Sequence, residues 1–286
     1  AGGPNEYGTI FKINPDGSGF TKLKDLPFEA RHPTGGLMLG TDGFLYGLTA
    51  QGASTEMGIV IRLRPDGTGF QILFDLTGYG VIAYNASLIQ VNGKLYGLTM
   101  YGDSGDSGSI FRVNVDGSNF VEVFQFSGTN GASPSGSLVK GSDGKLYGTT
   151  RSGGLNNFGV IFKFDPANNG FQVLRHLSQA DGVTPSGGLV YTTNNKLIGL
   201  TEAGGSNGRG TIFQMDPSGA NFSVKVNFND SNGAYPWTNK VIQATDGNLY
   251  GVVHNGGLSN NGVVFKMTLS GTYTKIVEFP EEGNTP

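Results

Sequence analysis

The sequence contains no cysteine, which excludes disulfide bonds, thiolate zinc sites and cysteine nucleophiles. Charged residues make up 14% of the chain, well below the usual quarter or so. The net charge of −3 comes with neither a basic stripe for nucleic acid nor a polybasic segment for an anionic membrane. Apolar runs fall short of the ~20 residues that span a bilayer. We therefore expect neither a nucleic-acid partner nor membrane insertion.

Glycine is abundant, with 49 residues, where about 7% of a chain is usual. Such a composition favours turns over helices. A weakly charged chain rich in Gly, Ser, Thr and Asn and lacking cysteine is typical of secreted bacterial proteins. The composition predicts an extracellular or cell-surface location, with the periplasm as the alternative.

Four short phrases recur along the chain with a period of about 50 residues. The phrase G-x-[IV]-[FI] begins at Gly8, Gly58, Gly108, Gly159, Gly210 and Gly262. The phrase [DN]-[GN]-x-L-[YI]-G has its leucine at Leu45, Leu95, Leu146, Leu197 and Leu249. A third phrase runs from an aromatic to an apolar residue six positions on, as in Phe20 to Leu26, and a fourth is a short apolar pair beginning at Leu37, Leu88, Leu138, Leu189 and Val241. Fixed-period repetition of this kind predicts a repeat architecture.

Each phrase is short, rich in β-branched and aromatic residues, and bounded by Gly, Asn, Asp or Pro, which predicts a β-strand. In chain order within a repeat we name the strands A (Leu37 type), B (Leu-Tyr-Gly), C (Gly-x-Ile-Phe) and D (Phe to Leu). Turns such as Thr41-Asp42-Gly43 and Pro15-Asp16-Gly17 predict A–B and C–D hairpins. The mid-strand glycines of strand B, of which Gly47 is the first, are expected where a neighbouring repeat approaches closely.

Antiparallel four-stranded units of 40 to 50 residues indicate an all-β fold, a β-propeller of four-stranded blades. A linear β-solenoid is the alternative, although its coils are usually shorter and lack paired hairpin turns. The unit P-x-G-x-L…DG-x-LYG-x-T-x-x-GG…G-x-IF…DG-x-x-F-x-x-L resembles the GloVer repeat of bacterial, often surface-associated proteins, and more loosely the NHL repeat. The resemblance covers nearly the whole chain. It implies a propeller fold and an exported setting but no established activity.

The strand census predicts one propeller domain over residues 1–286 made of six repeats, one of them incomplete. The expected parts are a partial blade at 1–28 and repeats at about 29–79, 80–128, 129–179, 180–230 and 231–286. Twenty-two strands are predicted where six full blades need twenty-four, because the stretch equivalent to 186–202 has no counterpart beside 1–28. We expect either a portion of a longer chain, which the sequence favours, or five blades with a partial sixth.

The long B–C and D–A loops are the expected binding surface, because loops on a rigid scaffold carry much of the function of proteins. The position after strand B differs in each repeat, which suggests a surface free to specialise; drift of an exposed position is the simpler alternative. The D–A loops add further candidates, among them the only tryptophan, whose indole could stack on a sugar or plug a gap between blades. The predicted binding residues are Met100, Arg151, Glu202, His254, Arg31, His32, Tyr84 and Trp237.

Support for catalysis is thin, since the sequence has neither a G-x-S-x-G elbow nor an H-E-x-x-H motif. A glycosidase would need a carboxylate partner for Glu202, for which Glu56 and Asp103 are candidates. A uronate lyase could use Tyr101, Arg151 and His254. The loop YGDSGDSG, with Asp103 and Asp106, could offer oxygen ligands to calcium but lacks EF-hand spacing. We predict no catalytic residue, metal or cofactor.

The sequence as a whole predicts an exported binding or adhesion module that recognises a glycan or a surface protein. A polysaccharide-active enzyme using the same loops, and a structural subunit of a larger cell-surface assembly, remain open as alternatives. In the second case the partner would be the remainder of a longer chain or of the assembly.

Overall fold

The computed structural model describes residues 2–52, 57–82, 86–102, 107–237 and 240–280. Across these ranges the backbone forms strands, bends and turns without a helical segment. The described part of the chain accordingly holds no helix that could cross a membrane. The chain divides into two compact units, Ala1–Gln125 and Phe126–Pro286, and each is described separately below.

The first unit contains three antiparallel sheets. A two-stranded sheet is formed by β1 (Thr9–Lys12) and β2 (Thr21–Asp25). The next sheet has the order β3 (Ala30–Leu39), β4 (Leu45–Gly52), β5 (Ile59–Leu63) and β6 (Gln71–Asp75). The third comprises β7 (Val81–Ile82) and β8 (Ile89–Val91), both paired with β9 (Lys94–Tyr101), followed by β10 (Ser109–Asn114) and β11 (Val121–Gln125).

The second unit contains three four-stranded antiparallel sheets in the same A-B-C-D order. The first comprises β12 (Ala132–Lys140), β13 (Leu146–Ser152), β14 (Val160–Asp165) and β15 (Gly170–His176). The second comprises β16 (Val190–Tyr191), β17 (Leu197–Thr201), β18 (Thr211–Met215) and β19 (Ser223–Asn227). The third comprises β20 (Ile242–Gln243), β21 (Leu249–Val253), β22 (Val263–Met267) and β23 (Tyr273–Glu278).

The predicted strands and their pairing are confirmed, but strand A differs in extent from the prediction. One strand A is divided into β7 and β8, so the described residues form 23 strands instead of 22. In β3 the strand begins at Ala30, before the predicted Leu37, and shifts register between Thr34 and Met38. The reason is that the D–A segment also pairs with the end of strand B, as Arg31 does with Gln51. The prediction that Arg31 and His32 lie in a loop was therefore wrong, since both lie in β3.

The mid-strand glycines of strand B are covered from within their own sheet. Gly97 pairs in register with Phe111 of strand C. A Cβ atom added at Gly97 would meet the Phe111 ring at 2.3 Å and Leu88 of strand A at 3.1 Å. The expectation that a neighbouring repeat approaches this glycine closely was wrong: the nearest atoms belong to the aromatic ring that crosses it. The same arrangement occurs at Gly148, Gly199 and Gly251, which lie under Phe162, Phe213 and Phe265.

Each pairing of strands C and D contains a register shift at the Ile-Phe dipeptide or its equivalent. The shift lies between Ile10 and Phe11 in the first sheet and between Val264 and Phe265 in the last. One extra residue on strand D at this point is a β-bulge, which increases the local twist. Its recurrence in all six sheets shows that the twist is part of the repeat.

The core lies between successive sheets. Phe213 of β18 packs in one cluster with Tyr147 and Ile161 of the preceding sheet, and these side chains are fully buried. A second cluster joins Leu200 and Phe228 to Phe265 of the following sheet. A four-stranded sheet alone buries neither face, so contact between successive repeats supplies most of the apolar burial that stabilises the fold.

Tyr46 and Tyr147 of strand B are fully buried, and their hydroxyl groups bind the A–B turn. The Tyr46 hydroxyl donates to Asp42 at 2.5 Å, and Tyr147 donates to Asp143 at 2.7 Å. Burial, reinforced by the Asp42 carboxylate, raises the pKa of Tyr46 to about 12. Burial likewise raises the pKa of Tyr147 and of Tyr273 above the usual value for tyrosine.

Replacing Gly97 with alanine should destabilise the protein by about 1–3 kcal/mol, because the added methyl group must displace a fully buried ring. Gly36→Ala is the matched control in the same unit, since the nearest atom to its added Cβ would be the Ser87 hydroxyl oxygen at 3.7 Å. Urea unfolding of both variants gives the comparison. Equal stabilities would contradict the packing described for Gly97.

Stability should fall between about pH 10 and pH 12. The folded state holds the Tyr46 proton more tightly than the unfolded chain, so this contribution is complete below the unfolded pKa of 10.0 and is lost as pH rises through the folded value of about 12. Tyr46→Phe should lower stability at pH 8 but flatten the alkaline loss. Urea unfolding of both proteins at pH 8 and pH 11.5 measures this, and parallel pH dependences would contradict it.

Candidate functional site

In each antiparallel sheet, the ends of strands B and D and the starts of strands A and C meet at one edge. The short A–B and C–D turns lie at the opposite edge. We call the edge at which strands B and D end and strands A and C start the loop edge. In the second unit it holds Arg151, Glu202, His254 and Trp237 among the predicted site residues.

The B–C loops at the loop edge of the second unit have one shared conformation. Each has seven residues, beginning Gly-Gly and ending in Gly: 153–159, 204–210 and 256–262. The last residue of strand D fastens the loop by accepting a backbone N–H, as His176 Nδ1 does from Leu155 at 3.2 Å. Asn227 and Glu278 accept the equivalent bonds from Ser206 and Leu258. His176 therefore holds the B–C loop from the end of β15.

In the second unit, a backbone joint connects the loop edge of one sheet to that of the next sheet. The N–H of Thr184 donates to the Phe158 carbonyl of the preceding sheet at 3.1 Å, and the N–H of Tyr235 donates to Arg209 at 3.0 Å. The donor precedes a proline that lies against the glycine of the G-x-[IV]-[FI] phrase; a Cβ at Gly159 would meet Pro185 at 2.9 Å. Thr184 and Tyr235 have φ values of 57° and 48°, in the left-handed region. This strained backbone is the geometry that aims the N–H at the neighbouring sheet.

Two of the variable positions at the end of strand B form an ion pair between adjacent sheets. Arg151 Nη2 lies 3.0 Å from Glu202 Oε2, and their side chains are 27% and 18% exposed. The prediction placed both residues just after the strand, but Arg151 lies within β13, whereas Glu202 directly follows β17. The pair places one positive and one negative charge side by side at the loop edge.

The indole of Trp237 lies beside the imidazole of His254, which directly follows strand β21 of the same repeat. Their ring centroids are 5.7 Å apart with an interplanar angle of 68°, an edge-to-face contact. Trp237 is 49% exposed, and His254 is exposed as well. A half-exposed indole supported by a second ring is a ready-made flat apolar surface. Trp237 therefore does not have the buried position that a plug between blades would require.

Sequence reasoning missed Arg209, which joins this surface through Tyr235. Arg209 Nε lies 2.7 Å from Asp230 Oδ1, its guanidinium donates to the Tyr235 hydroxyl, and it lies 5.2 Å from the centre of the Tyr235 ring. The hydrogen bond that the guanidinium donates to Asp230 raises the pKa of Arg209. A signal was present, because Arg209 is the only basic residue directly before a glycine of the G-x-[IV]-[FI] phrase.

The remaining predicted binding residues lie in the first unit and give less support for a binding site. Met100 lies within β9 and is 4% exposed, so little of it faces solvent. Arg31 is held by Gln51 at 2.9 Å and lies 4.3 Å from the centre of the Phe28 ring. His32 is exposed and takes the same left-handed conformation, with φ of 56°. Tyr84 lies outside the described residues, as do Glu56, Asp103 and Asp106.

The residues considered for catalysis do not form a described cluster. Tyr101 belongs to the first unit, whereas Arg151 and His254 belong to the second, and Arg151 is paired with Glu202. Over the described ranges, no group of three or more His, Asp and Glu side chains is placed to hold a metal ion.

The sheets and their repeated order define a β-propeller-type repeat domain. The chain belongs to the Gloeobacter/Verrucomicrobia repeat family, whose model matches residues 1–195 and 140–286. No curated protein is similar to it in sequence.

Solved structures of similar fold include three that cover most of the chain. The streptogramin B lyase structure has 16% identity and a TM-score of 0.57, covering 88% of this chain and 70% of that one. A structure of the nidogen/laminin complex has 16% identity and a TM-score of 0.60, covering 89% and 82%. The extracellular domain of the putative hybrid two-component system BT4673 from B. thetaiotaomicron has 11% identity and a TM-score of 0.59, covering 99% and 35%. At these identities the likeness concerns the fold alone.

The Arg151–Glu202 pair should contribute a coupling energy of about 0.5–1 kcal/mol to stability, because partial burial reduces solvent screening without removing it. A double-mutant cycle with Arg151→Ala and Glu202→Ala, measured by urea unfolding, gives this value. The matched control is Lys22–Asp25, whose side chains are 50% and 35% exposed and whose coupling should be smaller. A larger coupling in the control pair would contradict the argument.

Proposed function

We propose that the protein is an exported binding module that recognises a glycan through the loop edge of its second unit. In this proposal the five sheets with four strand positions are complete blades of one propeller domain. The sheet of β1 and β2 is a sixth, incomplete blade. A surface protein is the other ligand class that the sequence favours, and it becomes an outcome of the test below.

The observation that carries the proposal is the half-exposed Trp237 ring held edge-to-face by His254. An indole has an apolar face that can cover the C–H side of a sugar ring and an N–H that can meet its hydroxyl groups. Charged hydrogen-bonding groups lie on the same edge, where Arg151 and Glu202 pair on the two preceding sheets. An apolar platform with a few fixed polar groups is the usual chemistry of a small-ligand site.

The backbone joint supports this assignment, because it leaves the side chains of the loop edge unconstrained. The bonds from Thr184 and Tyr235 use main-chain atoms, so their stability does not depend on which side chains stand at the edge. Residues there can therefore change to suit a ligand without loss of the fold. This is the relation between scaffold and loops found in many binding domains.

An exported setting agrees with the composition and with one of the similar structures. That structure is the extracellular domain of the putative hybrid two-component system BT4673. Another similar structure is a lyase, and a shared fold does not choose between binding and catalysis. Binding is proposed because the described residues of the loop edge form an aromatic platform and a closed ion pair, and neither is an activated nucleophile or a general base.

Trp237→Ala should weaken binding to its best ligand on a panel of neutral and acidic oligosaccharides at least tenfold, or about 1.4 kcal/mol, because the platform is lost. Arg151→Ala should weaken acidic ligands more than neutral ones. Phe20→Ala and Lys140→Ala are matched controls, since Phe20 is an exposed aromatic residue in the first unit and Lys140 ends β12 at the opposite edge.

Binding that persists in Trp237→Ala would contradict the proposed site. If no oligosaccharide binds and a surface protein is captured instead, the glycan assignment fails. Cleavage of uronate polymers by the wild-type protein would favour the lyase alternative over binding.

A further inference from the structure

The strand β1 has an unpaired edge, unlike each other strand of its type. Strand C pairs with both strand B and strand D in the five larger sheets, whereas among the described residues β1 pairs with β2 alone. The sheet of β1 and β2 is nevertheless seated on the next sheet: Ile10 and Leu26 share a buried cluster with Ile59 and Ile61. The joint is also in place, since the N–H of His32 donates to the Tyr7 carbonyl at 2.8 Å.

Apolar side chains along this edge are exposed where their equivalents in the other repeats are buried. Phe11 is 54% exposed, but its equivalents are at most 1% exposed: Ile61, Phe111, Phe162, Phe213 and Phe265. Ile13 is 50% exposed, and its equivalents are also at most 1% exposed: Leu63, Val113, Phe164, Met215 and Met267. The exposure is therefore a property of this edge and not of the repeat.

A cleft of about 420 Å³ lies beside β1, between it and the start of β3. Its lining is mostly apolar or glycine and includes Phe11, Pro33 and Leu37. Leu37 is 38% exposed, whereas its equivalents are at most 5% exposed: Leu88, Leu138, Leu189 and Val241. The cleft thus borders both the open strand edge and the uncovered leucine of strand A in the following sheet.

We infer that this edge and cleft are an acceptor site for a β-hairpin with the strand A and strand B sequence of the repeat, other than the A–B hairpins already paired within the described residues. Pairing would satisfy the backbone groups of β1 and cover Phe11, Ile13 and Leu37 together. Every A–B hairpin in the described chain is already paired with strand C of its own sheet, so a second copy could supply one only by opening another sheet.

The sequence of β1 specifies what the incoming strand should contain. Thr9-Ile10-Phe11 is identical to Thr211-Ile212-Phe213, whose partner is β17. There Gly199 faces Phe213, and the hydroxyls of Thr201 and Thr211 lie 2.9 Å apart. A Cβ at Gly199 would meet the Phe213 ring at 2.5 Å, so glycine is required opposite the phenylalanine. The acceptor site should select a strand of the type Leu-x-Gly-x-Thr.

The test is the full chain extended before Ala1 by a copy of residues 186–202, so that the junction reproduces that of Glu202 with Ala203. The melting temperature should rise by at least about 3 °C, because the hairpin buries apolar surface that is exposed without it. Amide hydrogen exchange across Thr9–Lys12 should slow at least tenfold. The same extension with Gly199→Val in the added copy is the matched control and should give neither effect.

A second set of variants tests the acceptor side. Phe11→Ser should leave the melting temperature of the unextended chain within about 1 °C but remove most of the rise that the extension produces, whereas Leu258→Ser, at a side chain 94% exposed, should not. Unchanged melting and exchange in the extended chain would overturn the inference. A dimer of the unextended chain that the extension dissociates would also overturn it, since the occupant would then be a second copy.

Discussion

The packing of the strand C aromatic ring over the strand B glycine is the constraint on which the rest of the structure depends. Because Gly97 has no side chain, the Phe111 ring lies flat against the sheet, and the same is true at Gly148, Gly199 and Gly251. The ring itself is then part of the core that joins one sheet to its neighbour, as Phe213 and Phe265 are. The repeats are therefore stable through their neighbours, as in other stacked repeat architectures.

The sequence predicts the repeats and their strands but not this packing. The period, the strand order and the hairpin turns follow from local signals, since each strand is bounded by turn residues and each phrase repeats at a fixed distance. The spacing of the repeats does not predict that Phe111 covers Gly97. This contact depends on the register between strands B and C, which the sequence alone leaves open. The early start of β3 at Ala30 was hidden for a similar reason: its pairing partner lies at the far end of strand B.

For the candidate site as well, the sequence predicted residues but not the contacts between them. Sequence comparison between repeats identified Arg151, Glu202, His254 and Trp237, because these positions vary where their surroundings do not. It could not reveal that the first two form an ion pair, since they lie on adjacent sheets. Nor could it reveal that the last two are in ring contact, since the D–A loop and the end of strand B meet only in the folded repeat. Met100 was misleading because a position can vary chemically in a buried environment as readily as at a surface.

The backbone joint bears on both the variable side chains of the loop edge and the exposed edge of β1. In the second unit, a hydrogen bond between main-chain atoms, together with a proline lying on a glycine, holds successive loop edges together without using the side chains at the end of strand B. Side chains at the edge can then vary while the sheets stay registered. Conversely, where one sheet lacks its inner strands, as beside β1, the joint still forms and leaves an apolar edge exposed in a defined orientation. A repeat that joins through its backbone can thus hold both the variable side chains of the loop edge and the open edge of β1 in fixed positions.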